Sequence, residues 1–262
     1  MRTGDSFKVL DQTVIHGLTL SEIIFLHLPA DSKKQAWDYL HRLTQDKNDD
    51  VRIGAVESIG TCYSHLPDEY KKPAWDDLIM LTQDKDNDVR RKAAYSLGTC
   101  YSHLPDDSKK SAWNDLHRLT QDKHDYVRIG AAYSLGTCYS HLPDDSKKSA
   151  WDDLHRLTQD KDDYVRIGAA YSLGTCYSHL PDDSKKPAWD DLHRLTQDKD
   201  NDVRRKAAYS LGTCYSHLSG RLQKAGLGRP DQAHAGQNQR YPDNCKPFIR
   251  QGINIQGKPG GR

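Results

Sequence analysis

Several side chains recur in this chain at spacings that could do chemistry. Cys138-Tyr139-Ser140-His141 is a Cys-x-x-His, repeated in every unit of the sequence. On a helix its thiol and imidazole lie ~60° apart, near enough to face one metal ion. A structural zinc site needs four ligands within about 2–2.3 Å, and the next such pair, one layer away, is too far to complete it. A buried thiol beside a helix-end histidine is the better reading. Asp84-Lys85-Asp86-Asn87-Asp88 and Asp198-Lys199-Asp200-Asn201-Asp202 imitate the start of a calcium loop. They lack the glycine at the sixth position and the glutamate at the twelfth, and Asp88 and Asp202 are placed to cap helices instead. Every Ser, His and Asp that could serve a nucleophile recurs once per unit, whereas an active site is normally unique. No catalytic residue, metal or cofactor is therefore expected. What remains is a row of tyrosines, Tyr95, Tyr133, Tyr171 and Tyr209, each 38 residues after the last.

The elements that carry this row follow from the same period. Trp37, Trp75, Trp113, Trp151 and Trp189 are also 38 residues apart, and residues 113–150 differ from 151–188 only at Asn114/Asp152, His124/Asp162 and Ser149/Pro187. Such periodicity marks a stack of supersecondary units that bury their apolar faces against each other. In the third unit, a first helix is predicted over about 109–121, capped by Asp107 or Ser108. Its inward stripe is Ala112, Trp113, Leu116, Leu119 and Thr120, within about 120° of arc. A second helix is predicted over about 126–141, with Asp125 as N-cap. Val127, Ala131, Leu135, Cys138 and Leu142 form its core stripe, and Pro143 stops it. No period-2 alternation competes with this reading.

Five such hairpins account for residues 31–218. Residues 1–30 read as a degenerate capping helix, with Thr19-Leu20-Ser21-Glu22 as a capping box before the apolar run Ile23 to Leu26. After Leu218 the period vanishes, and residues 219–262, with eight Gly and four Pro, read as a disordered basic tail. That tail holds eight Lys/Arg against two Asp, a surplus of six. Against a whole-chain charge of +1, residues 1–218 therefore carry about −5. A nucleic-acid reader displays a basic stripe on its folded part, so this mildly acidic stack argues against that class. No stretch approaches the ~20 apolar residues of a spanning helix, and the opening MRTGDSFKVLDQ lacks the apolar run of a signal peptide. Cys62, Cys100, Cys138, Cys176 and Cys214 occupy one position in successive units. Stacked helices ~8–10 Å apart suit free thiols in a reducing compartment better than disulfides, which need Cα atoms within ~7 Å. A cytoplasmic setting is expected.

An aspartate six residues before the arginine of a Val-Arg, then Ala and Leu-Gly, resembles the HEAT repeat, especially the phycobilisome-lyase type. The matching residues are Asp46/Arg52, Asp84/Arg90, Asp122/Arg128, Asp160/Arg166 and Asp198/Arg204, with Leu97-Gly98, Leu135-Gly136, Leu173-Gly174, Leu211-Gly212 and, in the first unit, Ile59-Gly60. The resemblance implies an all-α, right-handed solenoid in which Asp and Arg form a ladder joining consecutive hairpins. On that ladder, loss of Arg128 is expected to orphan Asp122. It also implies that the second helices line the concave surface. There, off the core stripe, stand Tyr95, Tyr133, Tyr171 and Tyr209, and four residues earlier Arg91, Ile129, Ile167 and Arg205. An apolar middle between basic flanks suits an extended protein segment with acidic ends, since Tyr offers area and a polar tip at low entropy cost. The alternative is that the tyrosines merely pack on adjacent helices.

A protein-interaction scaffold is thus the expectation. The rival is a phycobilin-lyase-like enzyme that holds a tetrapyrrole in the same groove. No His-Glu dipeptide supports a HEAT-type iron hydroxylase, and the acidic stack disfavours a HEAT-type DNA-base repair enzyme.

Overall fold

The computed structural model describes residues 28–215, so the expected tail and nearly all of the expected N-terminal cap lie outside the described residues. Within them the chain forms ten α-helices: α1 (Ala30–Leu43), α2 (Asp49–Cys62), α3 (Asp68–Leu81), α4 (Asn87–Cys100), α5 (Asp106–Leu119), α6 (Asp125–Cys138), α7 (Asp144–Leu157), α8 (Asp163–Cys176), α9 (Asp182–Leu195) and α10 (Asn201–Tyr215). No strand occurs among the described residues. Consecutive pairs form five hairpins stacked as an all-α solenoid. Four of the second helices tighten into a short 3₁₀ turn, as at Tyr139–His141, before Leu-Pro starts the next unit.

The turn inside each hairpin is built from its own polar side chains. In the third unit the Thr120 hydroxyl donates to the His117 carbonyl at 2.7 Å, closing the end of α5. Asp122 Oδ1 then accepts the His124 amide at 2.9 Å. These local bonds satisfy backbone groups that a helix end leaves open. Both helices start somewhat earlier than their expected positions. Helix α5 begins at Asp106 with Pro105 as N-cap and no side-chain cap bond there, so positions 107 and 108 lie inside the helix and not at its cap. Helix α6 begins at Asp125, and the capping position is His124, which makes no such bond. Asp125 accepts the adjacent Tyr126 amide. In the other units the cap is Asn48, Asp86, Asp162 or Asp200, each accepting an amide two or three residues on. The caps of the calcium-like segments are thus Asp86 and Asp200, and not Asp88 and Asp202.

The core follows the predicted stripes. Ala112, Trp113, Leu116, Leu119 and Thr120 of α5 are buried, as are Val127, Ala131, Leu135, Cys138 and Leu142 around α6. A further buried row, Tyr63, Tyr101, Tyr139 and Tyr177, was not part of those stripes. The Tyr101 and Tyr139 hydroxyls donate to the Lys109 and Lys147 carbonyls at 2.8 and 2.9 Å, which lets a polar tip enter the core.

The Asp–Arg ladder crosses between units. Arg128 Nε and Nη2 donate to both oxygens of Asp160 in the following unit at 2.7 and 2.8 Å, while Nη1 donates to the Asp122 carbonyl in its own turn at 2.9 Å. Arg52–Asp84, Arg90–Asp122 and Arg166–Asp198 repeat the arrangement. The carboxylate orphaned by loss of Arg128 is therefore Asp160, because Asp122 is held by Arg90.

The two layers are spaced differently. Second helices pack on one another along their lengths, whereas successive first helices touch lightly. A Cβ added to Gly98, Gly136 or Gly174 would stand 2.7 Å from the Cβ of Ser134, Ser172 or Ser210 in the next unit. Only glycine admits that approach. The serines secure it: Ser134 and Ser172 donate across the gap to the Ala94 and Ala132 carbonyls at 2.8 and 2.7 Å. In the outer layer successive first helices are joined by polar contacts such as His117–Asp153 and His155–Asp191 at 2.6 and 2.5 Å. A stack with its second helices closer together curves toward them, so their exposed side is the concave one.

Candidate binding surface on the second helices

The non-core face of α2, α4, α6, α8 and α10 carries the residues singled out from sequence. Tyr95, Tyr133 and Tyr171 are half-buried, and Tyr209 is 54% exposed. They do not stand apart from one another. The Tyr133 and Tyr171 ring centroids are 5.4 Å apart at 51°. The Tyr133 ring also lies over Gly168, whose added Cβ would meet it at 3.5 Å. Burial raises the Tyr95 hydroxyl pKa, helped by Tyr171 and Glu57. The row is therefore an aromatic strip whose middle members, Tyr133 and Tyr171, partly cover each other. Ile129 and Ile167 sit partly buried along it and pack against the core.

Its two ends are paired differently. At the second unit Arg91 pairs with Asp88 at 3.1 Å, and Lys92 pairs with Glu57, which replaces the tyrosine of the first unit. Two cations meet two carboxylates there. At the fifth unit Arg205 pairs with Asp202 at 2.7 Å, and Lys206 Nζ lies 5.1 Å from the Tyr171 ring centroid and 5.6 Å from that of Tyr209. Cations over aromatic faces gain from the ring quadrupole. Burial and then the Arg205 charge lower the Lys206 pKa. Where Lys92 has Glu57 in the preceding unit, Lys206 has Tyr171 at the corresponding position.

Lys206 was not singled out from sequence, although its spacing, three residues before Tyr209 on one helical face, signals the contact. Gly130 and Gly168 stand in the third and fourth units where Lys92 and Lys206 stand in the second and fifth. The apolar middle of the strip thus has glycines beneath it.

The thiols are poor nucleophiles. Cys138 and Cys214 are buried, and that burial pushes their pKa up to about 12. No helix among the described residues is long and apolar enough to cross a membrane.

Comparison with known proteins agrees with the architecture. The family described as HEAT repeats matches residues 36–135, and that of sister chromatid cohesion protein PDS5 matches residues 107–235. No curated protein matches the chain. Among solved structures, an engineered protein is similar at 21% identity and a TM-score of 0.53, over 74% of this chain and 88% of its own. A designed armadillo repeat protein in complex with peptide (KR)4 is similar at 16% identity and a TM-score of 0.52, over 74% of this chain and 89% of its own. The complex of CpcE and CpcF of phycocyanin lyase from Nostoc sp. PCC7120 is similar at 20% identity and a TM-score of 0.52, over 68% of this chain and 98% of its own. At these identities the likeness is one of fold.

Proposed function

We propose that this chain, a HEAT-like repeat protein, is an interaction scaffold whose concave second-helix face binds an extended segment of a partner protein. The observation that carries the reading is the row of tyrosines from Tyr95 to Tyr209, with the Tyr133–Tyr171 ring pair at its centre and Arg205 and Lys206 beside its fifth-unit end. Rigid aromatic side chains at the centre of an interface supply most of its affinity. Three unit-to-unit steps of ~8–10 Å match the reach of about eight or nine extended residues at ~3.3 Å each. Arg205 and Lys206 would orient the segment, with its Asp or Glu residues toward the fifth unit. That a designed repeat protein of similar fold was solved with a peptide supports the class of function.

Panning a random-peptide library on the protein tests this reading. Enriched sequences are expected to have an apolar centre and an acidic end, and Arg205→Glu should weaken the best of them about tenfold through like-charge repulsion. A library that yields nothing, with an absorbance shift on adding a bilin, would contradict it and favour the tetrapyrrole reading.

A further inference from the structure

The two ends of the described stack carry complementary halves of the contacts that join its units internally. Arg52, Arg90, Arg128 and Arg166 are 5–7% exposed, each gripping a carboxylate of the next unit. Arg204 occupies the same position in the last unit. It donates to the Asp198 and Lys199 carbonyls of its own turn, yet it is exposed and meets no carboxylate among the described residues. At the opposite end Asp46 closes its own turn by accepting the Asn48 amide, with no arginine of a preceding unit upon it among the described residues. The steric contacts are halved in the same way. Among the described residues Gly212 has nothing within 4 Å of an added Cβ, where its four counterparts each receive a serine. Ser58, the counterpart of those serines, bonds the Gly54 carbonyl of its own helix.

We propose that the molecule associates head to tail with a second copy of itself, the first unit of one copy stacking on the fifth unit of the other. In that contact Asp46 meets Arg204 and Ser58 seats on Gly212, continuing the ladder. Residues 31–66 and 183–218 differ at nine of 36 positions, but both keep the aspartate, arginine, serine and glycine of the ladder, so the junction can repeat an Asp–Arg and Ser–Gly contact the chain already forms four times. Such a heterologous contact leaves both outer ends open, and association proceeds to rings or filaments and not to a closed two-fold dimer. This inference stands apart from the proposed peptide-binding face.

Sedimentation velocity on the full-length chain tests it, with charge reversals at either end. The weight-average mass of the unaltered protein should at least double as concentration rises from micromolar to hundreds of micromolar. Arg204→Glu alone sets a second carboxylate against Asp46, and Asp46→Arg alone sets a second guanidinium against Arg204. Each variant alone should remain monomeric with unchanged helicity. An equimolar mixture of the two should associate again, since every junction between unlike copies then sets one carboxylate against one guanidinium. A full-length chain that stays monomeric throughout would overturn the proposal, the outcome expected if residues 1–27 or 216–262 cover either end. Association that survives in the single variants would overturn it too, by locating the contact elsewhere.

Discussion

At the scale of single residues, the inter-unit arginines are the most consequential polar groups in the fold. Each is buried, bidentate on the next unit and bonded to its own turn. Arg128→Ala would leave the half-buried Asp160 unpaired beside a gap, at a cost of about 3 kcal/mol. Breaking the exposed i,i+4 pair by Lys186→Ala should cost less than about 0.5 kcal/mol. Thermal melting of the two variants checks this, and equal losses would contradict the ladder's role. The same pairs set the acid response. Burial alone would raise the carboxyl pKa of Asp84, Asp122, Asp160 and Asp198, but the arginine hydrogen bonds and turn amides outweigh it and hold all four below the ordinary value. A group depressed on folding stabilises above its unfolded pKa of about 3.9. That contribution is lost as pH falls through the lower folded value. Melting temperature should therefore drop steeply below about pH 4, and Arg128→Ala should show a shallower drop than the unaltered protein.

At the scale of elements, glycine placement decides how closely the second helices approach. Gly136→Ala would drive a Cβ to 2.7 Å from that of Ser172, and overpacking of this kind costs about 1–3 kcal/mol. Gly54→Ala, in the middle of α2 with nothing within 4 Å, should stabilise by up to about 1 kcal/mol through helix propensity. Opposite signs for the two substitutions in chemical denaturation are the expected outcome. Capping gives a second check. His124→Asn restores at α6 the cap that Asn48 supplies at α2, and should add about 1 kcal/mol. The 38-residue period and the core stripes of α5 and α6 were legible because burial in a stack imposes them on every copy. The caps were not, since Asp122, His124 and Asp125 lie within one polar turn. Backbone geometry, extended at His124 with φ −89° and ψ 128°, decides among them. The buried Tyr139 row was hidden for a related reason: a tyrosine hydroxyl reads as polar, and the carbonyls that satisfy it at Tyr101 and Tyr139 lie eight residues away, in the next unit.

At the scale of the whole molecule, stacking converts one repeated surface position into a strip. Wheel positions alone put Tyr95, Tyr133, Tyr171 and Tyr209 off the core. Their mutual contacts and the Lys206 perch depend on the distance between units, which no single helix encodes. The same distance distinguishes anchoring from packing. Tyr133→Ala combined with Tyr171→Ala removes the ring pair at 5.4 Å, a contact worth about 0.5–1.5 kcal/mol of stability. Truncating the core residue Trp113 should cost about 3–5 kcal/mol. The most direct measurement determines both peptide affinity and melting temperature for the double tyrosine variant, using a peptide selected on the unaltered protein. The account predicts affinity lower by about 100-fold or more, from about 2 kcal/mol per anchoring aromatic, with far less loss of melting temperature than Trp113→Ala. Unchanged affinity, or melting that collapses as it does for Trp113→Ala, would contradict it and make the tyrosines packing residues.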